Sequence, residues 1–238
     1  MLGIVLQARL DSSRLPGKSL LPLGAKPLIF RVMEALNRVP ASVRILACPD
    51  DCVSAFAPLA ALAGFELFAG PKDDVLERYC LTIRRFAIDR LIRATGDNPF
   101  VFADAAAALN AEAAALGADY AGYSGLPYGA GVESVNGAAL LRAGMEAAAP
   151  FEREHVCPYL YGRPELFLLH RPLAPARWRD DSPAEVRLTV DTPEDYDRAR
   201  ELYAALDRFD SGEERYRGTG ILKQYKEVFL ESGGGEAQ

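Results

Sequence analysis

The sequence predicts an α/β fold in which a mostly parallel central sheet is covered by helices on both faces. Three observations predict it. Short apolar or β-branched runs alternate with longer segments of helical period, the pattern of strand–helix units that feed a parallel sheet. No internal period of roughly 20 to 50 residues stands out, which excludes solenoids and propellers. The residues after three of the runs are dense in charge and turn formers, as expected where such a sheet presents ligand sites at the carboxyl ends of its strands.

The apolar runs cover residues 4–6, 43–47, 65–68, 91–94, 166–169 and 186–190. Pro27 opens the first helical segment, where a missing N–H costs nothing, and Leu28, Ile29, Val32, Met33 and Leu36 recur on one face. A second segment carries Val75, Leu76, Tyr79, Cys80, Ile83 and Phe86, with Asp73 and Asp74 as candidate caps. The alanine-rich stretch 103–118 is broken by Asp104, Asn110 and Glu112, so it reads as an amphipathic helix. Another helix begins at Thr192-Pro-Glu-Asp195, with a hydroxyl cap, a proline in the first turn and carboxylates facing the helix dipole.

With 238 residues, 50% hydrophobic and 25% charged, the chain has the composition of a folded globular protein. A single domain over residues 1–231 is expected, followed by a flexible glycine-rich tail, 232–238. The 27 basic and 33 acidic residues give a net charge of −6, which argues against a nucleic-acid-binding sheath and leaves anion binding to local basic clusters. The apolar start is interrupted by Gln7 and Arg9, far short of the roughly 18 residues of a membrane span, and lacks the basic start of a signal peptide. A cytoplasmic protein with neither a membrane nor a nucleic-acid partner is expected. Cys48, Cys52, Cys80 and Cys157 form no Cys-x-x-Cys pair, and only His155 and His170 are available, so reduced structural thiols are expected rather than a zinc site.

The segment Gln7-Ala-Arg-Leu-Asp-Ser-Ser-Arg-Leu-Pro-Gly-Lys18 puts Arg9, Arg14 and Lys18 on a loop directly after a buried strand. Three cations there suit a polyanion, and Gly17 lets the backbone approach a phosphate. Gly17-Lys18-Ser19 is not a P-loop: the first glycine of that motif falls on Ser12, and Pro22 argues against a long helix starting at Lys18. Asp97, in a Gly-Asp-Asn-Pro turn, and Asp191, between an apolar run and a capped helix, place two carboxylates at the same sheet edge. Two hard oxygen ligands beside a triphosphate suit Mg²⁺; the alternative is that each aspartate only caps a turn.

The first segment resembles the opening of the cytidylyltransferases that activate 3-deoxy-sugar acids. It looks most like the spore coat polysaccharide biosynthesis protein F group, homologues of the CMP-Kdo synthetases. Asp73-Asp-Val-Leu-Glu-Arg78, Arg93-Ala-Thr-Gly-Asp-Asn-Pro99, Arg153-Glu-His-Val-Cys-Pro-Tyr159 and Leu188-Thr-Val-Asp-Thr-Pro-Glu-Asp195 follow in that group's order. The resemblance implies a Rossmann-like nucleotidyltransferase fold, a three-layer sandwich, with the first loop wrapping a nucleoside triphosphate, most naturally CTP, and Asp97 and Asp191 holding Mg²⁺. It further implies catalytic roles for Arg9, Arg14 and Lys18, and nucleotide contacts from Gln7, Ala8, Gly17, Arg78 and Gly96. An acidic sugar or similar acceptor would be bound by Glu133, Arg153, Glu154 and His155, and a homodimer would pair through residues 121–128, which include Tyr123 and Tyr128.

Some of these positions have an alternative on residue chemistry alone. Arg78 on its helix also fits a solvated face, His155 a histidine bonded to backbone, and Glu133, after the turn-rich Leu126-Pro-Tyr-Gly-Ala-Gly131, an exposed loop carboxylate rather than part of a lid or acceptor loop. Trp178 and the scattered tyrosines read as core or interface rather than base-stacking platforms. A nucleotide-sugar glycosyltransferase would use an Asp-x-Asp, which neither Asp50-Asp51 nor Asp180-Asp181 supplies. A non-catalytic nucleotide-binding module is the rival that residue chemistry leaves open. Cys157 stands where relatives often have threonine, so the acceptor sugar is left open.

Overall fold

In a computed structural model, which describes residues 1–179, 186–209 and 212–230, the first apolar run forms strand β1 (Leu2–Gln7). Ile4 and Leu6 pack on one side of the sheet and Val5 on the other, all fully buried, as in a strand covered on both faces. After the long first loop, a small hairpin of β2 (Pro22–Leu23) and β3 (Lys26–Pro27) leads into α1 (Leu28–Leu36). The chain continues through β4 (Val43–Pro49), α2 (Val53–Ala63), β5 (Glu66–Gly70), α3 (Val75–Phe86), β6 (Arg90–Thr95) and α4 (Ala103–Leu116). Its second half comprises β7 (Tyr120–Ala121), β8 (Glu133–Asn136), α5 (Gly137–Glu146), α6 (Pro150–His155), α7 (Pro158–Tyr161), β9 (Leu169–His170), α8 (Pro193–Phe209) and α9 (Gly218–Phe229).

The main sheet has the order β5-β4-β1-β6-β8-β7-β9. The strands β5, β4, β1 and β6 are mutually parallel, β8 is antiparallel to both β6 and β7, and β9 is parallel to β7. One core joins Ile4, Leu46 and Ile92 to Leu28 and Met33 of α1, Leu109 of α4 and Leu202 of α8. The other joins Val5, Ile45 and Leu91 to Tyr79 of α3, Leu140 of α5 and Leu160 of α7. The result is the expected sandwich of three layers.

Side-chain caps fix the helices that border the sheet edge. Asp74 Oδ1 accepts the Glu77 N–H at 3.0 Å at the start of α3, and Asn136 Oδ1 accepts the Ala138 N–H at 2.9 Å at the start of α5. Ahead of α8, Thr192 Oγ1 accepts the Asp195 N–H, while Asp195 Oδ2 accepts the N–H groups of Asp191 and Thr192.

Two expected strands differ. The run 166–169 contributes only β9, because Leu166 closes a turn by donating its N–H to the Arg163 carbonyl. The run 186–190 is extended but forms no strand, since its N–H groups go to two separate segments: Leu188 to the Tyr128 carbonyl and Val190 to the Asp97 carbonyl, each at 2.8 Å. Trp178 is core, with Nε1 donating to Asp104 at 2.8 Å. The four cysteines are free and buried, and burial pushes the Cys48 thiol up to about 12 and the Cys80 thiol to about 11. Among the described residues no helix is long and apolar enough to cross a membrane. The tail 232–238 and Asp180-Asp181 lie outside the described residues.

Candidate active site

From β1 the chain moves outward to β4 and β5 and then returns to place β6 on the other side of β1. This reversal makes the carboxyl ends of β1 and β6 the natural ligand crevice. A cleft of about 620 Å³ lies there, lined at its floor by Gln7, Ala8, Thr95 and Gly96. Gly96 permits the close approach of the two strand ends: an added Cβ would stand 2.8 Å from Ile29 and 2.9 Å from Ala8.

The first loop forms one wall. Gly17 adopts φ +67°, the left-handed region that glycine enters without a Cβ penalty, and the chain then turns so that Lys18 points inward. Lys18 Nζ donates to Asp97 Oδ2 at 3.2 Å, Asp191 Oδ1 at 3.0 Å and the Val190 carbonyl at 2.8 Å. Arg14 reaches Asp191 Oδ1 at 3.1 Å, and Arg9, half exposed, lines the cleft beside it. Thr95 Oγ1 donates to Asp97 Oδ1 at 2.7 Å, and Arg187 holds Asp191 Oδ2 at 3.0 Å.

The two aspartates thus converge on one ammonium. Among the described residues there is no group of three or more His, Cys, Asp or Glu side chains that could hold a metal ion. A cation bound by this pair would therefore complete its shell with phosphate oxygens and water, the donor set that Mg²⁺ accepts. The residues fit the ion expected.

Arg78 is not a solvated helical arginine. It is 2% exposed and lines the cleft, donates to the Pro71 carbonyl at 2.7 Å, and leaves its Nε without a hydrogen-bond partner. Burial pushes its guanidinium below the usual arginine range. An unsatisfied, desolvated cation in a cleft wall is a strong anion-binding feature.

Glu133 is neither a loop residue nor an exposed carboxylate. It opens β8 directly across from Arg93, accepts from Arg93 at 2.5 Å and from the Tyr120 hydroxyl at 2.8 Å, and still lines the cleft. Arg93 continues the row by donating to Gln7 Oε1 at 3.2 Å. Burial alone would lower the Arg93 pKa, and the charge and hydrogen bond of Glu133 together with Tyr79 and Cys157 more than reverse that. Arg93 is the one charge inside the otherwise apolar run Leu91-Ile-Arg-Ala94, a signal in the sequence that marks it out from the rest of its motif.

Glu154 and His155 line the far wall, whereas Arg153 does not line the cleft. Its guanidinium is committed to Asp74, at 2.7 Å through Nε, and to the Gly144 and Ala147 carbonyls. That corrects the expectation of an acceptor contact: Arg153 fastens the end of α6 to the cap of α3. Directly after His155, Val156 has φ +75° and ψ −60°, a γ-turn closed by the Cys157 N–H on the His155 carbonyl. Of the other expected residues all line the cleft except Gly17, which shapes the loop. Tyr123, Leu126, Pro127 and Tyr128, from the stretch expected to pair two copies, also line it. Ser12, Ser13, Asn98 and Thr189 join them without having been singled out.

The profile of the cytidylyltransferase family matches residues 3–232. The spore coat polysaccharide biosynthesis protein SpsF of Bacillus subtilis (strain 168) is 32% identical over 206 residues, spanning 84% of this chain and 85% of the relative. A cytidylyltransferase structure from Leptospira borgpetersenii serovar Hardjo-bovis (strain JB197) superposes with a TM-score of 0.84 at 25% identity, covering 95% of this chain and 94% of that one. CMP:2-keto-3-deoxy-manno-octonic acid synthetase complexed with CTP shares the fold, with a TM-score of 0.65 at 18% identity over 85% of this chain and 98% of that one.

Proposed function

The chain belongs to the cytidylyltransferase family, and on that premise we propose that it transfers a cytidylyl group from CTP to the hydroxyl of an acidic sugar or similar acceptor, releasing pyrophosphate, in surface glycan biosynthesis. The observation that carries the reading is the meeting of Arg14 and Lys18 with Asp97 and Asp191 at the sheet's reversal point. Cations for a triphosphate and carboxylates for a divalent cation stand at one place.

The acceptor oxygen attacks the α-phosphorus and pyrophosphate leaves in line. Catalysis is positioning and charge neutralisation, with no covalent enzyme intermediate. Arg9, Arg14 and Lys18 hold the triphosphate and stabilise the departing pyrophosphate. Gln7, Ala8, Gly17, Gly96 and the desolvated Arg78 form the rest of the nucleotide site. Asp97 and Asp191 would hold Mg²⁺, which when bound neutralises α-phosphate charge. Glu154 and His155 face the acceptor, and Glu133 acts through Arg93 and Gln7. A cytoplasmic location and a homodimer complete the reading. Pairing through residues 121–128 would set the partner beside the cleft, and light scattering that finds only a 25.9 kDa monomer removes it.

A thermal-shift panel of CTP, UTP, ATP and GTP, each with and without Mg²⁺, tests the assignment. At about 100 times the dissociation constant a ligand adds roughly 2.7 kcal/mol, a rise of about 5 to 10 °C for a chain of this size. CTP with Mg²⁺ should give the largest shift, much reduced in Lys18→Ala. A larger shift with a purine triphosphate discards the cytidylyl assignment, and no shift with any triphosphate discards nucleotidyl transfer.

A further inference from the structure

Every oxygen of the two cleft carboxylates already has a donor. Asp97 Oδ1 takes the Thr95 hydroxyl and Asp191 Oδ2 takes Arg187 and, at 3.5 Å, the Thr189 hydroxyl. These donors sit on the same segments as the aspartates and hold them from behind. Asp97 Oδ2 and Asp191 Oδ1 are instead held by cations of the first loop, Lys18 on both and Arg14 on the second. Lys18 is 12% exposed and is anchored a third time by the Val190 carbonyl.

A cation bound by both aspartates needs the oxygens that Lys18 holds, and since Asp191 Oδ1 already carries Lys18 and Arg14 together, a dication added there would stand against two like charges at contact distance. With Lys18, Arg14 and Arg187 around two carboxylates, the cluster carries no surplus negative charge to attract a bare dication. A triphosphate changes the balance, because it offers the loop cations oxygens of higher charge density. We infer that Lys18 is an exchange residue: its ammonium neutralises Asp97 and Asp191 until a triphosphate takes it, so that divalent cation and nucleotide bind as a pair. The inference rests on the cytidylyl-transfer reading and deepens it, since it makes Lys18 compete with the metal while assisting the nucleotide. Coupling of this kind is reciprocal.

The test uses Mn²⁺, which suits the same oxygen ligands and is counted by electron paramagnetic resonance. Wild type, Lys18→Met and Lys18→Gln, each with and without Asp97→Asn, are titrated with Mn²⁺ alone, with circular dichroism as the check on folding. Both neutral variants should bind Mn²⁺ at least tenfold more tightly than wild type without nucleotide, lose that gain with Asp97→Asn, and bind CTP at least tenfold more weakly. In wild type, calorimetry should show Mn²⁺ raising CTP affinity at least tenfold, an arm that stands even if both variants misfold. The inference is overturned if the neutral variants bind Mn²⁺ no more tightly than wild type, if the gain survives Asp97→Asn, or if Mn²⁺ leaves CTP affinity unchanged. Wild type that binds no triphosphate at all removes the cytidylyl reading instead, and the titrations with Mn²⁺ alone still decide on Lys18.

Discussion

Val190 donates its backbone N–H to the carbonyl oxygen of Asp97 at 2.8 Å. This one bond docks the segment before α8 onto the turn after β6, so that Asp191 comes to share Lys18 with Asp97. The residues on either side secure it: Thr189 packs its hydroxyl against Asp97 and Asp191, and the Asp191 N–H is captured by Asp195.

Removing the charge from either cleft aspartate is expected to abolish turnover while leaving a folded protein. Asp97→Asn keeps the shape and a hydrogen-bond acceptor at a site 29% exposed, so its stability should change by less than about 1 kcal/mol. Asp191 is 9% exposed and faces Lys18, Arg14 and Arg187, so Asp191→Asn should cost about 1–3 kcal/mol as well. Pyrophosphate release at limiting Mg²⁺, alongside urea denaturation, measures both. Near-wild-type release in either variant would exclude that aspartate as a metal ligand.

Arg153 and His155 should separate stability from activity. Arg153→Ala removes the contact to Asp74 and leaves the Gly144 and Ala147 carbonyls without their donor, which should lower stability by about 2 kcal/mol. Its pyrophosphate release per folded molecule should stay within a few-fold of wild type. His155→Ala should do the reverse, keeping the melting temperature and losing release at least tenfold with any sugar acid that wild type accepts. Equal losses of activity in the two variants would return Arg153 to the acceptor site.

The sequence made the first half of the sheet legible because its strands are continuous apolar runs bounded by turn formers, as Ile4 and Ile45 illustrate. The first loop was legible too, since charge there follows a strand that must be buried. The second half was not. Strand β8 begins with Glu133 and carries Ser134, polar residues that read as loop until Arg93 and Tyr120 are known to face the first, and Arg90 and Asn110 the second. The run 186–190 has the composition of a strand, but whether its N–H groups find one partner strand or two loops is a tertiary fact. Arg153 was misplaced for a similar reason: adjacency to His155 in sequence does not decide on which side of a short helix a guanidinium finds its carboxylate.

Acid should weaken the join before α8 only at low pH. Burial pushes the Asp195 carboxyl up, but the Asp191 N–H, Arg187, Arg198 and the Thr192 N–H together bring it below its ordinary value of 3.8. A carboxyl whose folded pKa is depressed adds stability that is present above its unfolded pKa and lost as pH falls through the folded value. Wild type should therefore exceed Asp195→Asn by a constant margin of about 1–2 kcal/mol between about pH 5 and pH 8, narrowing below about pH 4. Urea midpoints across that range check it. A margin that narrows near neutrality would show that the stability belongs to another group.

Val156 carries a strained backbone next to Glu154 and His155 of the cleft wall, and glycine should expose the strain. With φ +75° and ψ −60° it is a buried, β-branched residue in a region where a Cβ is poorly tolerated. Such strain costs of order 1–3 kcal/mol and persists where the surroundings enforce it. Here they include the Cys157 N–H on the His155 carbonyl and the Val156 N–H on the Glu152 carbonyl. At an ordinary site glycine is less stable than alanine by roughly 0.5–1 kcal/mol, because it gives up more backbone freedom. At Val156 the order should invert. Both substitutions forfeit the buried methyl groups, but only glycine relieves the strain, so Val156→Gly should be more stable than Val156→Ala by about 1 kcal/mol. The same relaxation should loosen the aim of His155 and Glu154, so Val156→Gly should lose pyrophosphate release that Val156→Ala retains. Denaturation midpoints and release rates for the pair decide it, and alanine proving the more stable of the two would mean that the turn bears no strain.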